Sequence, residues 1–264
     1  MKYIRLIIEF DGTNYQGWQT QRSGLTIQDC MSRTISVITG ESIKLISASR
    51  TDAGVHALGQ VAVFGTDSRL PADTMKRALN ARLPKEIRIL DAEALDYEFH
   101  PRFRAVKKSY FYLIEKTQKQ SVFFHRYTWR IPVILDLGSM NKASELLLGE
   151  HDFSAFRGTG CGAKTTVRTI HSITLSRHDY IDFMTARVYG DFIKIRIEAN
   201  AFLRHMVRNI VGTLADVGKG WILPETLTDI LASCDRKMAG PTAPAKGLFL
   251  EKVFYPDSES PDKV

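Results

Sequence analysis

Strand-like segments come in runs along this chain, and helix-like segments fall between the runs instead of following each strand in turn. Alternating apolar residues mark strands over 3–10, 43–48, 60–64 and 87–94, with helices over 27–39 and 71–81. Thr26 is placed to cap the first helix and Gly40 to stop it. Ile27, Met31, Ile35 and Ile38 recur at spacings of three and four, which gives that helix one buried face. After Phe99-His100-Pro101 the pattern starts afresh, with strands over 106–115, 167–176, 182–189, 192–198 and 248–254 and helices over 137–148, 201–217 and 224–232. Grouping of this kind, without strict β-α alternation, implies an α+β fold. The two halves predict two related α/β subdomains, 1–104 and 105–256, sharing a largely antiparallel central sheet flanked by helices. The acidic, proline-bearing stretch 257–264 is expected to be disordered.

A chain of 264 residues, 44% hydrophobic and 25% charged, can bury a substantial core. No apolar run approaches the roughly 20 residues that a membrane span requires. The opening M-K-Y-I-R-L-I-I-E-F reads as a strand and lacks the long apolar region of a secretory signal. Three scattered cysteines, Cys30, Cys161 and Cys234, form no C-x-x-C pair, which argues against a disulfide framework or a zinc site and for a reducing cytoplasm. The histidines show no H-E-x-x-H and no paired metal spacing. A net charge of +7 points weakly to a polyanion, and its distribution adds to this. Arg102, Arg104, Lys107 and Lys108 are interleaved with rings in H-P-R-F-R-A-V-K-K-S-Y-F-Y. Cations beside stackable aromatics are what single-stranded RNA recognition uses. A solvated basic strand edge has the same composition.

The chemistry concentrates in Ser49 to Ala57, S-R-T-D-A-G-V-H-A, between two strand-like segments. If the backbone is still extended at Arg50, then Arg50 and Asp52 project to the same side. Gly54 then turns the chain through positive φ without steric cost. The expected result is a carboxylate at a strand-to-loop transition with a guanidinium beside it. A surface ion pair shares this local pattern.

These nine residues resemble the signature loop of the pseudouridine synthases, whose usual form in the tRNA-modifying family is G-R-T-D-A-G-V-H-A; Ser49 stands where glycine is usual. The resemblance continues in order through F-D-G-T-N-Y-Q-G-W-Q (10–19), K-K-S-Y-F-Y (107–112), H-D-F-S-A-F (151–156), M-V-R-N-I-V-G (206–212) and P-A-K-G-L (244–248). It implies the fold of that family and an enzyme that detaches uracil from its ribose in tRNA and reattaches it through carbon. No metal, nucleotide or redox cofactor is implied. By resemblance the targets are uridines 38, 39 and 40 of the anticodon stem-loop, and the enzyme is a homodimer.

Asp52 takes the position of the family's catalytic aspartate. A water-excluded pocket disfavours a carboxylate's charge, and the Arg50 cation would oppose that, which gives R-x-D a physical reason. Three roles fit the aspartate: attack on the base, attack on the sugar, or abstraction of a sugar proton. Tyr110 matches the tyrosine that stacks on the target uracil, Arg208 the arginine paired with the aspartate, and Leu248 an apolar residue lining the uracil pocket. Base-aromatic stacking is worth about 1–3 kcal/mol, enough to help hold a flipped nucleotide; tyrosines are also simply good strand formers. In a helix over 201–217, Arg204 and Arg208 lie four apart, where like charges repel by about 0.2–0.5 kcal/mol. An anion near them is therefore expected; Arg204 meets either phosphate or nothing but solvent. His56 is expected to be structural or to touch RNA.

One segment imitates a different chemistry. G-T-G-C-G-A-K-T (158–165) falls one residue short of a phosphate-binding P-loop, with Ala163 where glycine is needed. No apolar strand precedes it, and the residues after it alternate like a strand where a helix should start. A glycine-rich, lysine-bearing surface loop near the RNA is expected instead. Two other functions share parts of the pattern. A non-catalytic tRNA-binding or folding protein would not need Arg50, Asp52, Tyr110 and Arg208 intact, and a nucleoside hydrolase would not need the basic aromatic segment.

Overall fold

The computed structural model describes residues 1–183 and 185–256, so the stretch 257–264 expected to be disordered lies outside the described residues. The chain divides into two compact units, Met1–Lys108 joined by the strand from Phe249 onward, and Ser109–Leu248.

In the first unit β1 (Lys2–Phe10), α1 (Ile27–Thr39), β2 (Ile46–Ser47), β3 (His56–Thr66), α2 (Ala72–Arg82) and β4 (Ile87–Leu95) follow in order. β1 lies between β3 and β4, antiparallel to both. Its alternate residues Ile4, Leu6 and Ile8 are wholly buried, as a period of two dictates for a strand with one face on the core. α1 turns Ile27, Met31 and Ile35 inward. Its cap is reciprocal: the Thr26 hydroxyl accepts from the Asp29 N–H and donates to the Asp29 carboxylate. Such a cap contributes about 1 kcal/mol. Gly40 ends the helix at φ 75° with its N–H on Ser36 O.

The second unit contains β5 (Lys107–Lys116, its first residues in the other unit), β6 (Trp129–Ile131), α3 (Leu137–Glu145), β7 (Gly149–Asp152), β8 (Val167–Phe183), β9 (Ala186–Ala199), α4 (Met206–Gly218) and α5 (Thr226–Ser233). Its strands run in the order β5-β9-β8-β7, with β6 parallel to β5. α4 is the core helix: Met206, Val207, Ile210 and Leu214 are buried. β10 (Leu248–Phe254) then pairs with β3 in parallel, Phe249 opposite His56 and Leu250 opposite Ala57. Pairing is otherwise mostly antiparallel, and the class is α+β as expected.

Several expected elements differ. The segment 182–189 is no single strand: β8 and β9 pair from Phe183↔Ala186 back to Ile170↔Ala199, so the chain reverses inside it. The apolar alternation there continues on both sides of the reversal, and no glycine or asparagine marks it. The helix expected from 201 begins only at Met206. Asn200 Oδ1 takes the Ala201 N–H, the Gly158 N–H takes Arg204 O, and His205 sits at φ 61°, outside helical backbone. Finally, only Ile46–Ser47 of 43–48 is strand, and β3 starts early, at His56.

Candidate active site

Between β2 and β3 the backbone is irregular, so the alternation that would put Arg50 and Asp52 on one side does not apply. Arg50 is exposed and forms no ion pair with Asp52 among the described residues. Asp52 is half-buried at a tight turn, where the Val55 N–H donates to Asp52 O at 3.1 Å and Gly54 adopts φ 77°.

Side chains hold the entry to this turn where a strand partner would otherwise do so. Gln60, wholly buried on β3, accepts from the Ser49 N–H at 3.2 Å and donates to Ser49 O at 2.7 Å. The Ser47 hydroxyl donates to the same carbonyl. Lys108, expected among surface cations facing RNA, is instead 7% exposed and donates to Ala48 O at 2.6 Å. Its ammonium thus serves the Ala48 carbonyl, while the Ala48 N–H donates to Val61 O of β3.

The far side of the turn is held by the loop after β1. The Trp18 N–H donates to Thr51 O at 3.1 Å, and the Gly54 N–H donates to Tyr15 O at 3.3 Å. Gly17 makes this approach possible, because a Cβ there would stand 2.5 Å from Thr51 O. The block F-D-G-T-N-Y-Q-G-W-Q thus acts as a strap over R-T-D. His56 closes the loop at its base. It is 1% exposed, stacked on Phe249 at 4.7 Å, with Nδ1 3.1 Å from Gly12 N and 3.0 Å from Asp11 Oδ1. That nitrogen accepts from Gly12 when unprotonated and donates to Asp11 when protonated, so its proton selects between them.

In the second unit, β5 places Tyr110 and Tyr112 on one face. Tyr110 is 6% exposed and meets Phe202 edge-on at 5.0 Å. Tyr112 is fully buried and its hydroxyl donates to Pro244 O at 2.7 Å. Burial pushes that hydroxyl's pKa up, and the cation of Arg208 opposes the shift. Arg208 Nε donates to Ala243 O at 2.7 Å, while Ala243 N donates back to Arg208 O. M-V-R-N-I-V-G and P-A-K-G-L are therefore drawn together around Tyr112, with Leu248 buried at the start of β10. Asn209, also buried, donates to Phe156 O of H-D-F-S-A-F and accepts from Thr242 Oγ1.

Arg204 stands apart from this cluster. It precedes α4, is exposed, and donates to Thr159 O at 3.0 Å. Arg204 and Arg208 therefore do not share a helix at four-residue spacing, and the expectation of repulsion built on that spacing does not apply. The glycine-rich segment that Arg204 touches leads into β8, as its alternation required, and not into a P-loop helix. Asp52, Arg50 and His56 belong to the first unit; Tyr110, Arg204, Arg208 and Leu248 belong to the second.

Gln60 was not singled out by the sequence, Lys108 was read there as a surface cation, and Tyr15–Trp18 only as part of a resembling block. A glutamine opening the apolar run Q-V-A-V-F was the available sign, since a buried amide must find partners. Chemically, the loop can present a half-buried carboxylate from a backbone fixed on both sides. No helix among the described residues is long and apolar enough to cross a membrane.

A family profile described as tRNA pseudouridine synthase matches residues 6–104 and 143–256. The chain is 47% identical over 255 residues to the tRNA pseudouridine synthase A of Acetivibrio thermocellus, covering 97% of this chain and 100% of that one. Proteins of the same name from Thermodesulfovibrio yellowstonii and Geotalea uraniireducens are each 43% identical over the same length, covering 97% of this chain and all of theirs.

Proposed function

Because the chain belongs to the tRNA pseudouridine synthase family, we propose that it isomerises uridines 38, 39 and 40 of the anticodon stem-loop, with Asp52 acting at the glycosidic bond of a flipped-out nucleotide. That it is an isomerase converting uridine to pseudouridine in tRNA follows from the family itself. The reaction breaks the bond from ribose C1′ to uracil N1 and forms one from C1′ to C5. The hydrogen at C5 leaves as a proton and N1 gains one, so no electrons are exchanged.

The observation that carries the role of Asp52 is its place on a turn anchored at both sides by buried hydrogen bonds. A carboxylate fixed in this way needs little reorganisation to meet charge developing on the sugar or base. Attack on the base, attack on the sugar and abstraction of a sugar proton all need the ionised form. Tyr110 supplies a ring for the uracil, Leu248 an apolar wall, and Arg208 a cation. Arg50 and Arg204, both exposed, suit phosphate. His56, buried, supports the turn. The reading includes a homodimer working in the cytoplasm, which rests on the resemblance and on the scattered thiols.

The test is release of tritium from C5 of labelled uridine in a tRNA transcript, with wild type and Asp52→Ala compared. Release by wild type alone, with transcript affinity retained in the variant, is the expected result. A folded wild type that binds the transcript and releases nothing would leave an RNA-binding protein in place of the enzyme.

A further inference from the structure

We propose that the turn over residues 100–104 is a stacking platform for an unpaired base of the RNA substrate, with Phe103 as the receiving ring; this rests on the reading of the chain as acting on tRNA. Phe103 is 77% exposed, yet it is not a loose side chain. Its ring stacks on His100 at 4.1 Å and 24°. A ring backed on one face and exposed to this degree turns its other face to solvent.

The backbone beneath it is pinned. The N–H groups of Phe103 and Arg104 both donate to His100 O. The Tyr255 hydroxyl donates to Pro101 O at 2.9 Å, and buried Phe99 meets the Tyr255 ring edge-on at 5.1 Å. Downstream, the Val106 N–H donates to Phe254 O at 2.9 Å. A ring held in this way loses little freedom when a ligand stacks on it, so more of the stacking energy appears as affinity.

The surrounding charge selects the ligand. Of the four cations from Phe99 to Lys108, Lys108 is buried on Ala48 O and Lys107 lies over the Phe254 ring, which leaves the two arginines at the surface. Arg102 and Arg104, on either side of Phe103, are both exposed. An apolar protein partner would gain nothing from flanking guanidinium groups, whereas a nucleotide brings a ring and a phosphate together. Trp221 is comparably exposed at 73%, but Lys219 already lies over its ring at 4.3 Å and is itself held by Asp216. Phe103 therefore carries the inference and Trp221 does not.

The experiment measures binding of a tRNA transcript to the full-length chain and to Phe103→Ala, Phe103→Tyr and Phe103→Trp across a salt series. Loss of a stacked base predicts that Phe103→Ala binds roughly 5- to 150-fold more weakly. The tyrosine and tryptophan variants should bind like wild type, and tryptophan emission at this position should be quenched by the transcript. The salt slope should not change, because no charge is removed. Phe103→Ala binding as wild type does, with an unchanged melting temperature, overturns the proposal. So does a change in oligomeric state at unchanged RNA affinity, which would make the ring a protein contact. A wild type that binds the transcript without releasing tritium sinks the enzyme reading alone; a wild type that binds no tRNA sinks both.

Discussion

The Gln60 side-chain amide pairs with both backbone groups of Ser49, accepting from its N–H and donating to its carbonyl. It supplies in two bonds what a neighbouring strand would supply, at the point where the chain must leave the sheet to display Asp52. Gln60→Leu leaves the buried Ser49 N–H without this partner, at a cost of about 1–3 kcal/mol, while the Ser49 carbonyl keeps the Ser47 hydroxyl. We expect a lower urea midpoint together with a lower kcat at nearly unchanged KM. A variant that loses stability but keeps kcat would show that the amide serves folding alone.

Tyr110 and Tyr112 should separate cleanly by substitution. Tyr112→Phe removes the hydroxyl that serves Pro244 O, so it should destabilise by about 1 kcal/mol. Tyr110→Phe keeps a ring and should keep turnover if the role is stacking, whereas Tyr110→Ala should lose roughly 5- to 150-fold in kcat/KM. A large loss in Tyr110→Phe would give its hydroxyl a part in proton transfer.

Binding should weaken steeply with salt. Each phosphate neutralised by a cation releases counterions, so log affinity falls linearly with log salt between about 50 and 200 mM. A flat titration would remove the electrostatic contribution assigned to exposed cations such as Arg50 and Arg204.

Alkaline stability should carry the signature of Tyr15. Burial, with Cys30, Glu86 and Asp11 adding to it, pushes its hydroxyl up to about 12 from an ordinary value of 10.0. A raised value in the folded state means that the contribution is complete below pH 10.0 and is lost as pH rises toward about 12. Tyr15→Phe should therefore show a shallower fall of stability with pH across that interval, read from urea midpoints.

Much of this was legible because it is local. The α1 cap at Thr26, its stop at Gly40 and its buried face at Ile27, Met31 and Ile35 depend on residues a few positions apart, and the structure has each of them. What was not legible depends on distant partners. Arg204 was read onto a helix because periodicity cannot see Gly158 taking its carbonyl. Lys108 was read as a surface cation because nothing near it in sequence announces Ala48 O as its partner, 60 residues away. The loop at Asp52 was found from its residues, but the means of holding it was not. Gln60, Gly17 and Trp18 act across space, and only the glutamine's place in an apolar run hinted at this.

β10 belongs with the first unit, yet it is synthesised after the whole of the second. A ribosome that has extruded the Asp52 loop and all of β3 has not yet made Phe249, the ring on which His56 stacks. The nascent chain therefore holds its candidate active-site loop above an unfinished base until the second unit has been made. Order of synthesis delays a competent loop until the tyrosine and arginine it is proposed to work with already exist.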